Sequence, residues 1–510
     1  MPQELPGFYY DAEKNRYFPV KGPIPGSSRI NSSASSSSSS NTARKASIEP
    51  KQAKVRKELK RATTKMLLSR ELYGRVIISA KGKYNFREEY TKRLVSEPTI
   101  WRYSWTDGTS YRALEQVDVI TSMQDGEVKT DLLLGGGMNG SLSSFYVVDK
   151  DALEFDYGVR STPDCAWPLD IKSKEAFVRS PGHLWRLDGA SLDMFSSITC
   201  IKKFGKPGQR KILITTLGSA TSGGSVSVLN LSDPLVLPSG YPMIGGNFNE
   251  ITLFNRTVWT ADCNSDGSQA FIGTDLGVTL VNIETGTQSW VCRCKSDIFS
   301  VQLDQSEKIA LCGLRNGAIV TIDVRQRPDN FARLTRQRIL LHSHKTRESL
   351  SGCNQNTSKD WFELKGQICQ SGTISMPSSI SCLASLKLYE QYFLASSMDG
   401  SIKLYDHRMV QRGAVQCYEG NVNSHTHIQL GVDPSEKFVM SGGEDNKLRL
   451  WSIRSGELLL EEKLMSSTPS VVCWQKEDIC ARDGYIDDNH SHLGEAWLGS
   501  RDGLFRMRWS

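Results

Sequence analysis

The 510-residue chain predicts an all-β fold, a seven-bladed β-propeller behind a disordered N-terminal extension that carries one basic amphipathic helix. Three observations lead there. First, from about residue 114 onward seven tight turns each precede a strand of alternating or continuous apolar character. They centre on Asn139-Gly140, Gly223-Gly224, Leu276-Gly277, Asn316-Gly317, Asp399-Gly400, Asp445-Asn446 and Asp502-Gly503. Asn-Gly and Asp-Gly pairs supply the positive φ that a two-residue hairpin requires. Second, these turns lie 84, 53, 40, 83, 46 and 57 residues apart. The short intervals match a four-stranded blade, and the two long ones leave room for insertions at about 150–195 and 326–374. Third, each turn has two further strands upstream, such as Phe299–Leu303 and Ile309–Gly313, split by the polar run Asp304-Gln305-Ser306-Glu307. A lone four-stranded sheet cannot bury both faces, whereas a ring of seven can.

In chain order, residues 1–26 form an aromatic, Pro- and Gly-rich motif that is too short for a core of its own. Residues 27–50 form a disordered linker, with ten Ser among residues 27–40. Residues 51–74 read as a helix, because Val55, Leu59, Ala62, Met66 and Leu67 recur at three and four with Lys and Arg between them. The propeller spans 99–510. Its last unit ends on a third strand, Leu504–Trp509, so a fourth must come from upstream; Thr99–Trp105 is the candidate that closes the ring. The 326–374 insertion is polar and reads as a surface excursion. The 150–195 insertion leaves open an extra blade.

Composition narrows the function. No apolar run reaches the roughly 18 residues of a membrane span. No signal-peptide pattern precedes the motif at 1–26, so secretion is not expected and a nuclear or cytoplasmic protein is. The 12 Cys include no C-x-x-C, which suits buried reduced thiols. Net charge is +6, yet residues 41–75 alone hold eleven Lys or Arg against three Glu, leaving a nearly neutral body. Lys51–Arg61 can be a solvated helix face, a nuclear-import signal, or the polar side of a helix whose apolar stripe docks on a partner. The basic charge is short and separate from the aromatics, which argues against nucleic-acid binding.

Several motifs dissolve on inspection. Gly135–Gly140 fits G-x-G-x-x-G, but a strand follows it rather than the helix that faces a pyrophosphate. His342/His344, His425/His427 and His490/His492 alternate as strand ligands would, without carboxylates converging on them. No nucleophile–base arrangement appears, so no catalytic, metal or cofactor site is expected.

The sharpest signal lies at the blade ends. One blade closes with Ile322-Asp323-Val324-Arg325, the next with Tyr405-Asp406-His407-Arg408, and the next with Trp451-Ser452-Ile453-Arg454. The apolar residue fills the blade and the Asp caps the turn. The Arg two positions later leaves the strand at one rim, where a guanidinium fork suits carboxylates and carbonyls of a partner. These tetrapeptides, and the longer box LASSMDGSIKLYDHR, resemble the W-D-x-R signature of WD40 substrate receptors of cullin-4 RING ubiquitin ligases. The opening PGFYYDAEKNRYFPVKGPIPG resembles one subfamily of these cullin-4-associated factors. The resemblance implies a non-catalytic receptor whose Arg face holds the ligase adaptor, the large subunit of the damaged-DNA-binding complex, and which presents a protein target. It implies adaptor contact through Asp323, Arg325, Tyr405, Asp406 and Arg408, with Arg454, Val55, Leu59 and Met66 as further candidates. Ile322 and Tyr405 stand where the signature has Trp. Two other readings compete: a WD40 scaffold unrelated to ubiquitination, and a nuclear propeller associated with nucleic acid.

Overall fold

The computed structural model describes residues 8–11 and 16–19, and then residues 86–509 apart from 107, 124–125, 149–157, 169–180, 188–190, 207, 220, 234, 237–246, 326–335, 341–360, 367–372 and 476–493. Residues 1–61 and 62–510 are separate compact units. The first holds an antiparallel hairpin, Phe8–Asp11 with Arg16–Pro19, that sets Tyr9 opposite Phe18 and Tyr10 opposite Tyr17. The linker and the helix expected at 51–74, with Val55, Leu59 and Met66, lie outside the described residues.

The second unit contains seven sheets in the described residues, each built on four antiparallel propeller strands; in blade 1 Leu235–Val236 adds a parallel strand beside Ala113–Met123. Blade 1 starts at Ala113–Met123, blade 2 at Ile198–Phe204, blade 3 at Val258–Cys263 and blade 4 at Ile298–Leu303. Blade 5 starts at Ile380–Ser385, blade 6 at Gly431–Val432 and blade 7 at Val471–Trp474. All seven expected turns join the second and third strands of a blade. Gly140, Gly317, Gly400 and Gly503 adopt φ of 85°, 83°, 85° and 117°, and Asn446 adopts 61°. The Gly223-Gly224 turn differs. It is a wider loop, in which Gly218 carries the positive φ of 93° and bridges Gly223.

Thr99–Tyr103 is the fourth strand of blade 7. It pairs antiparallel with Gly503–Arg508, Thr99 opposite Arg508 and Arg102 opposite Phe505. Neither long interval hides an additional blade among the described residues. In the first, His183–Arg186 is the fourth strand of blade 1, and Pro163–Trp167 adds a fifth strand to blade 7 beside Thr99–Tyr103. The second does more than loop out. Its strands Arg336–Leu340 and Trp361–Gly366 pair with each other, and the latter extends blade 3 along Gln288–Cys294. Leu364 is buried there, which is what makes a polar insertion hold to the sheet edge.

The core lies between blades. The second and third strands of one blade meet the first strand of the next, as where Phe271 and Val278 of blade 3 pack in one cluster with Ile298, Val301 and Leu303 of blade 4. The close approach needs glycine: a Cβ on Gly313 would come within 2.5 Å of Ile380, the first residue of the next blade. Polar ties reinforce the packing. Asp262 of blade 3 is 6% exposed, receives Lys202 of blade 2 at 2.8 Å, and accepts Leu303 N–H of blade 4 at 2.7 Å. One carboxylate therefore ties three successive blades.

The sequence expectations placed no helix at Phe86–Val95, α1, but the structure has one. Glu88 and Glu89 sit in its first turn and Lys92 and Arg93 in its last, the order that favours the helix dipole. Lys92 bridges Glu89 at 2.9 Å and Glu457 of blade 6 at 3.3 Å. The indole N–H of Trp509 donates to Val95 O at 2.9 Å. The helix is thereby fixed across blades 6 and 7.

Candidate docking face

In such a ring the loops from first to second strand and from third to fourth strand share one face. The Asp-x-Arg tetrapeptides end third strands, so they lie on that face. In blade 4, Arg325 folds back on Asp323: Nε donates to Oδ1 at 2.9 Å and Nη2 to Oδ2 at 2.5 Å, while the Arg325 N–H also donates to Oδ1 at 3.0 Å. Blade 5 repeats the arrangement. Arg408 Nε and Nη2 reach Asp406 at 3.0 and 2.8 Å, and the Arg408 N–H reaches it at 2.8 Å. The carboxylate thus caps the turn and clamps the guanidinium in one orientation. The Arg side chains are 64% and 66% exposed, the Asp side chains only 17% and 6%. Hydrogen bonds from its own Arg hold each Asp below the usual carboxylate range, more than burial raises it. The result is two preorganised, mostly exposed guanidinium forks at equivalent places in adjacent blades, a geometry that suits a carboxylate or carbonyl.

The remaining site residues fall into three groups. Ile322 and Tyr405 are buried, Tyr405 stacked on Phe393 with ring centroids 5.5 Å apart. Tyr405 therefore supports the turn from inside the blade and presents no surface of its own. Arg454 has no Asp two residues before it and instead reaches Glu88 of α1 at 3.0 Å, while its side chain stays 82% exposed. Val55, Leu59 and Met66 lie outside the described residues.

The sequence reading missed the apolar surroundings of Arg408. On the same face, Leu388 and Tyr389 are 65% and 50% exposed, and Met409 beside Arg408 is 47% exposed. Their loop is held by Glu436 of blade 6, whose carboxylate accepts the N–H groups of Lys387, Leu388 (2.9 Å) and Tyr389 (3.2 Å). A cavity of about 530 Å³ lies between this loop and α1, walled by Leu386, Tyr392 and Val415 and edged by Lys92 and Glu88. Apolar residues in a loop between two strands, where polar turn residues are the norm, were the available signal. The turn cap was also broader than the Asp signature. Asn282 of blade 3 accepts the N–H groups of Glu284 and Thr285, both at 2.9 Å, without an Arg following.

The channel-side histidines are structural neighbours. Glu444 accepts Ser424 Oγ–H at 2.6 Å and the N–H groups of His425 and Thr426 at 3.2 and 3.0 Å. Burial pushes Glu444 up, but these bonds and that of the Thr426 hydroxyl bring it down to about 2. His427 Nε2 lies 3.4 Å from Phe299 O. His342, His344, His490 and His492 are outside the described residues.

The fold and these turns define the class, a WD40-repeat β-propeller: residues 369–406 and 415–452 match the WD domain, G-beta repeat family. Among curated proteins the chain is homologous over 70 residues, at 40% identity, to DDB1- and CUL4-associated factor 4 of Bos taurus and of Homo sapiens. It is 37% identical over 81 residues to DDB1- and CUL4-associated factor 4-like protein 2 of Homo sapiens. The match spans 14% of the length of each factor 4 and 14% of this chain, and 20% of the like protein and 16% of this chain. Among solved structures, the computationally designed Ika8 protein aligns at a TM-score of 0.43 and 14% identity, over 80% of this chain and 98% of that one. A likeness at that level carries no argument.

Proposed function

We propose that this protein is a non-catalytic substrate receptor of a cullin-4 RING ubiquitin ligase. The single observation that carries the reading is the pair of Asp-clamped, exposed forks at Arg325 and Arg408. It is supported by the homologous segment shared with DDB1- and CUL4-associated factors. The adaptor contact is through Arg325 and Arg408, with Leu388, Tyr389 and Met409 as the apolar part of the same surface. The mechanism is effective concentration: one face holds the ligase, another holds the target, and ubiquitin transfer belongs to other subunits. The protein works in the nucleus, the cytoplasm or both.

The test is co-purification with the adaptor, comparing wild type with Arg325→Ala plus Arg408→Ala. Exposed Arg at an interface centre is a typical hot spot, worth about 2 kcal/mol or more, so roughly a thirtyfold or greater loss of affinity is expected. The melting curve should stay unchanged. A wild type that does not bind the adaptor at low salt defeats the reading.

A further inference from the structure

On the opposite face run the loops between blades and the turns between second and third strands. The mouth of the central channel there is a cavity of about 830 Å³, lined among others by Tyr111, Arg112, Met138, Trp259, Phe299 and Arg501. Among the described residues no carboxylate lies within ion-pair distance of Arg112 or Arg501. Arg112 Nε is shut off from solvent and bonded to nothing. Burial acts against its charged form, Tyr111 offsets this in part, and the charge of Arg501 adds a smaller effect against it. Arg501 lies over the Tyr111 ring, 5.6 Å from its centroid, which leaves its N–H donors unspent. Acidic groups elsewhere on this face are engaged. Asp297 pairs with Arg315 at 3.0 Å, and Glu444 is held by Ser424 and Thr426. The mouth therefore concentrates positive charge in a partly desolvated cleft, which draws an anion.

Met138 lines this cleft, and it and two further large apolar side chains, in the loops that lead into blades 1 and 2, stand in solvent. Trp105 is 76% exposed, Met138 46% and Phe195 fully so. The backbone beneath them is held firmly. Trp105 has φ of 60°, a left-handed conformation that a bulky residue adopts only where its surroundings hold it there. It is fixed by its neighbour Thr106, whose hydroxyl donates to Tyr103 O at 2.8 Å and accepts Leu504 N–H at 2.9 Å. Met194 N–H donates to Gly140 O at 2.8 Å and Ser196 Oγ–H to Gly218 O at 2.9 Å, pinning both sides of Phe195. Aromatic side chains on rigid loops are the anchors of a binding surface, since little entropy is lost when they are covered.

We infer that the channel mouth and the rim of blades 7, 1 and 2 bind an acidic peptide segment of a partner protein, a carboxylate entering between Arg112 and Arg501 while a neighbouring large apolar residue packs on Trp105 and Phe195. The inference deepens the receptor reading, on which the identity of this segment as a ubiquitination target rests; the binding itself does not depend on the ligase.

The experiment selects randomised peptides displayed on phage against the full-length chain at low salt. The winners are then synthesised and their affinities measured by fluorescence anisotropy. Winners are expected to be enriched in Asp or Glu beside Phe, Leu or Trp. Arg501→Gln, an exposed position, and Arg112→Gln should each weaken them roughly tenfold or more, and Trp105→Ala should weaken them several-fold. All three variants should co-purify with the adaptor as wild type does and, for Arg501→Gln, melt like it. Winners without acidic enrichment, undiminished binding to Arg501→Gln, or binding only of phosphoserine versions of the peptides overturns the inference. Acidic peptides that bind as expected to a protein that ignores the adaptor leave this site standing and remove the receptor reading.

Discussion

At the scale of the residue, the clamp between Asp406 and Arg408 separates two jobs that a single side chain often combines. Arg408 is the exposed donor, and Asp406 sets where it points. Asp406→Asn keeps the N–H acceptor and the volume of the turn but loses one of the two charged oxygens that grip the fork. The expected outcome is an adaptor affinity between wild type and Arg408→Ala, measured by titration, with almost no change in melting temperature. A variant as weak as Arg408→Ala would show that orientation is the whole contribution. The Asp and Arg positions were legible in the sequence because a hydrogen-bonding cap has a short, fixed spacing. The blade-filling place of Tyr405 was legible too; its stacking on Phe393 and the pairing of Arg454 with Glu88 were not, because both depend on residues distant from them in the chain.

At the scale of the element, Asp118 on the first strand of blade 1 joins two blades. It meets Lys203 at 2.7 Å and Arg210 at 3.1 Å, both on blade 2. Burial raises its pKa, but those two cations outweigh it and bring it down from 3.8 to about 2. A carboxyl group with a depressed folded pKa contributes stability that is present above its unfolded pKa, near 4, and is lost as pH falls toward 2. Asp118→Asn should therefore cost about 1–3 kcal/mol at neutral pH, by chemical denaturation. The gap between variant and wild type should close between pH 4 and pH 2. A gap that is constant with pH would mean that shape, not charge, is what the position supplies. Strands of this kind were readable from turns and alternation. The six-stranded width of blade 3 was not, because nothing local in Trp361–Gly366 names Gln288–Cys294 as its partner. The helix α1 escaped for a related reason: FREEYTKRLV is mostly polar, and its place is set by contacts with blades 6 and 7 rather than by an apolar stripe of its own.

At the scale of the molecule, seven blades are tied in sequence by interface cores and by carboxylates such as Asp262, and the ring is closed by one strand borrowed from before blade 1. Deleting residues 501–510 removes Gly503–Arg508, the strand that holds both Ala496–Ser500 and Thr99–Tyr103. The truncated chain should lose its cooperative thermal transition, followed by circular dichroism, rather than melt a few degrees lower. A cooperative melt retained in that chain would mean that six blades suffice. The closure was foreseeable because the count of strands in the last unit came up one short.

That borrowed strand also sets a clock on biosynthesis. Thr106 and Leu504, bonded in the finished ring, are 398 residues apart in the chain. At roughly 5–20 residues per second, the ribosome makes Thr99–Tyr103 some 20–80 s before its partner strand exists. Throughout that interval the strand that carries Ile100, Trp101 and Tyr103, all buried in the finished ring, can pair with Pro163–Trp167 on one side only, and its other edge stays open to pairing with other chains. The nascent protein is therefore most exposed to aggregation while its blades are being made one after another. Folding helpers that shield hydrophobic edges have to act before translation ends.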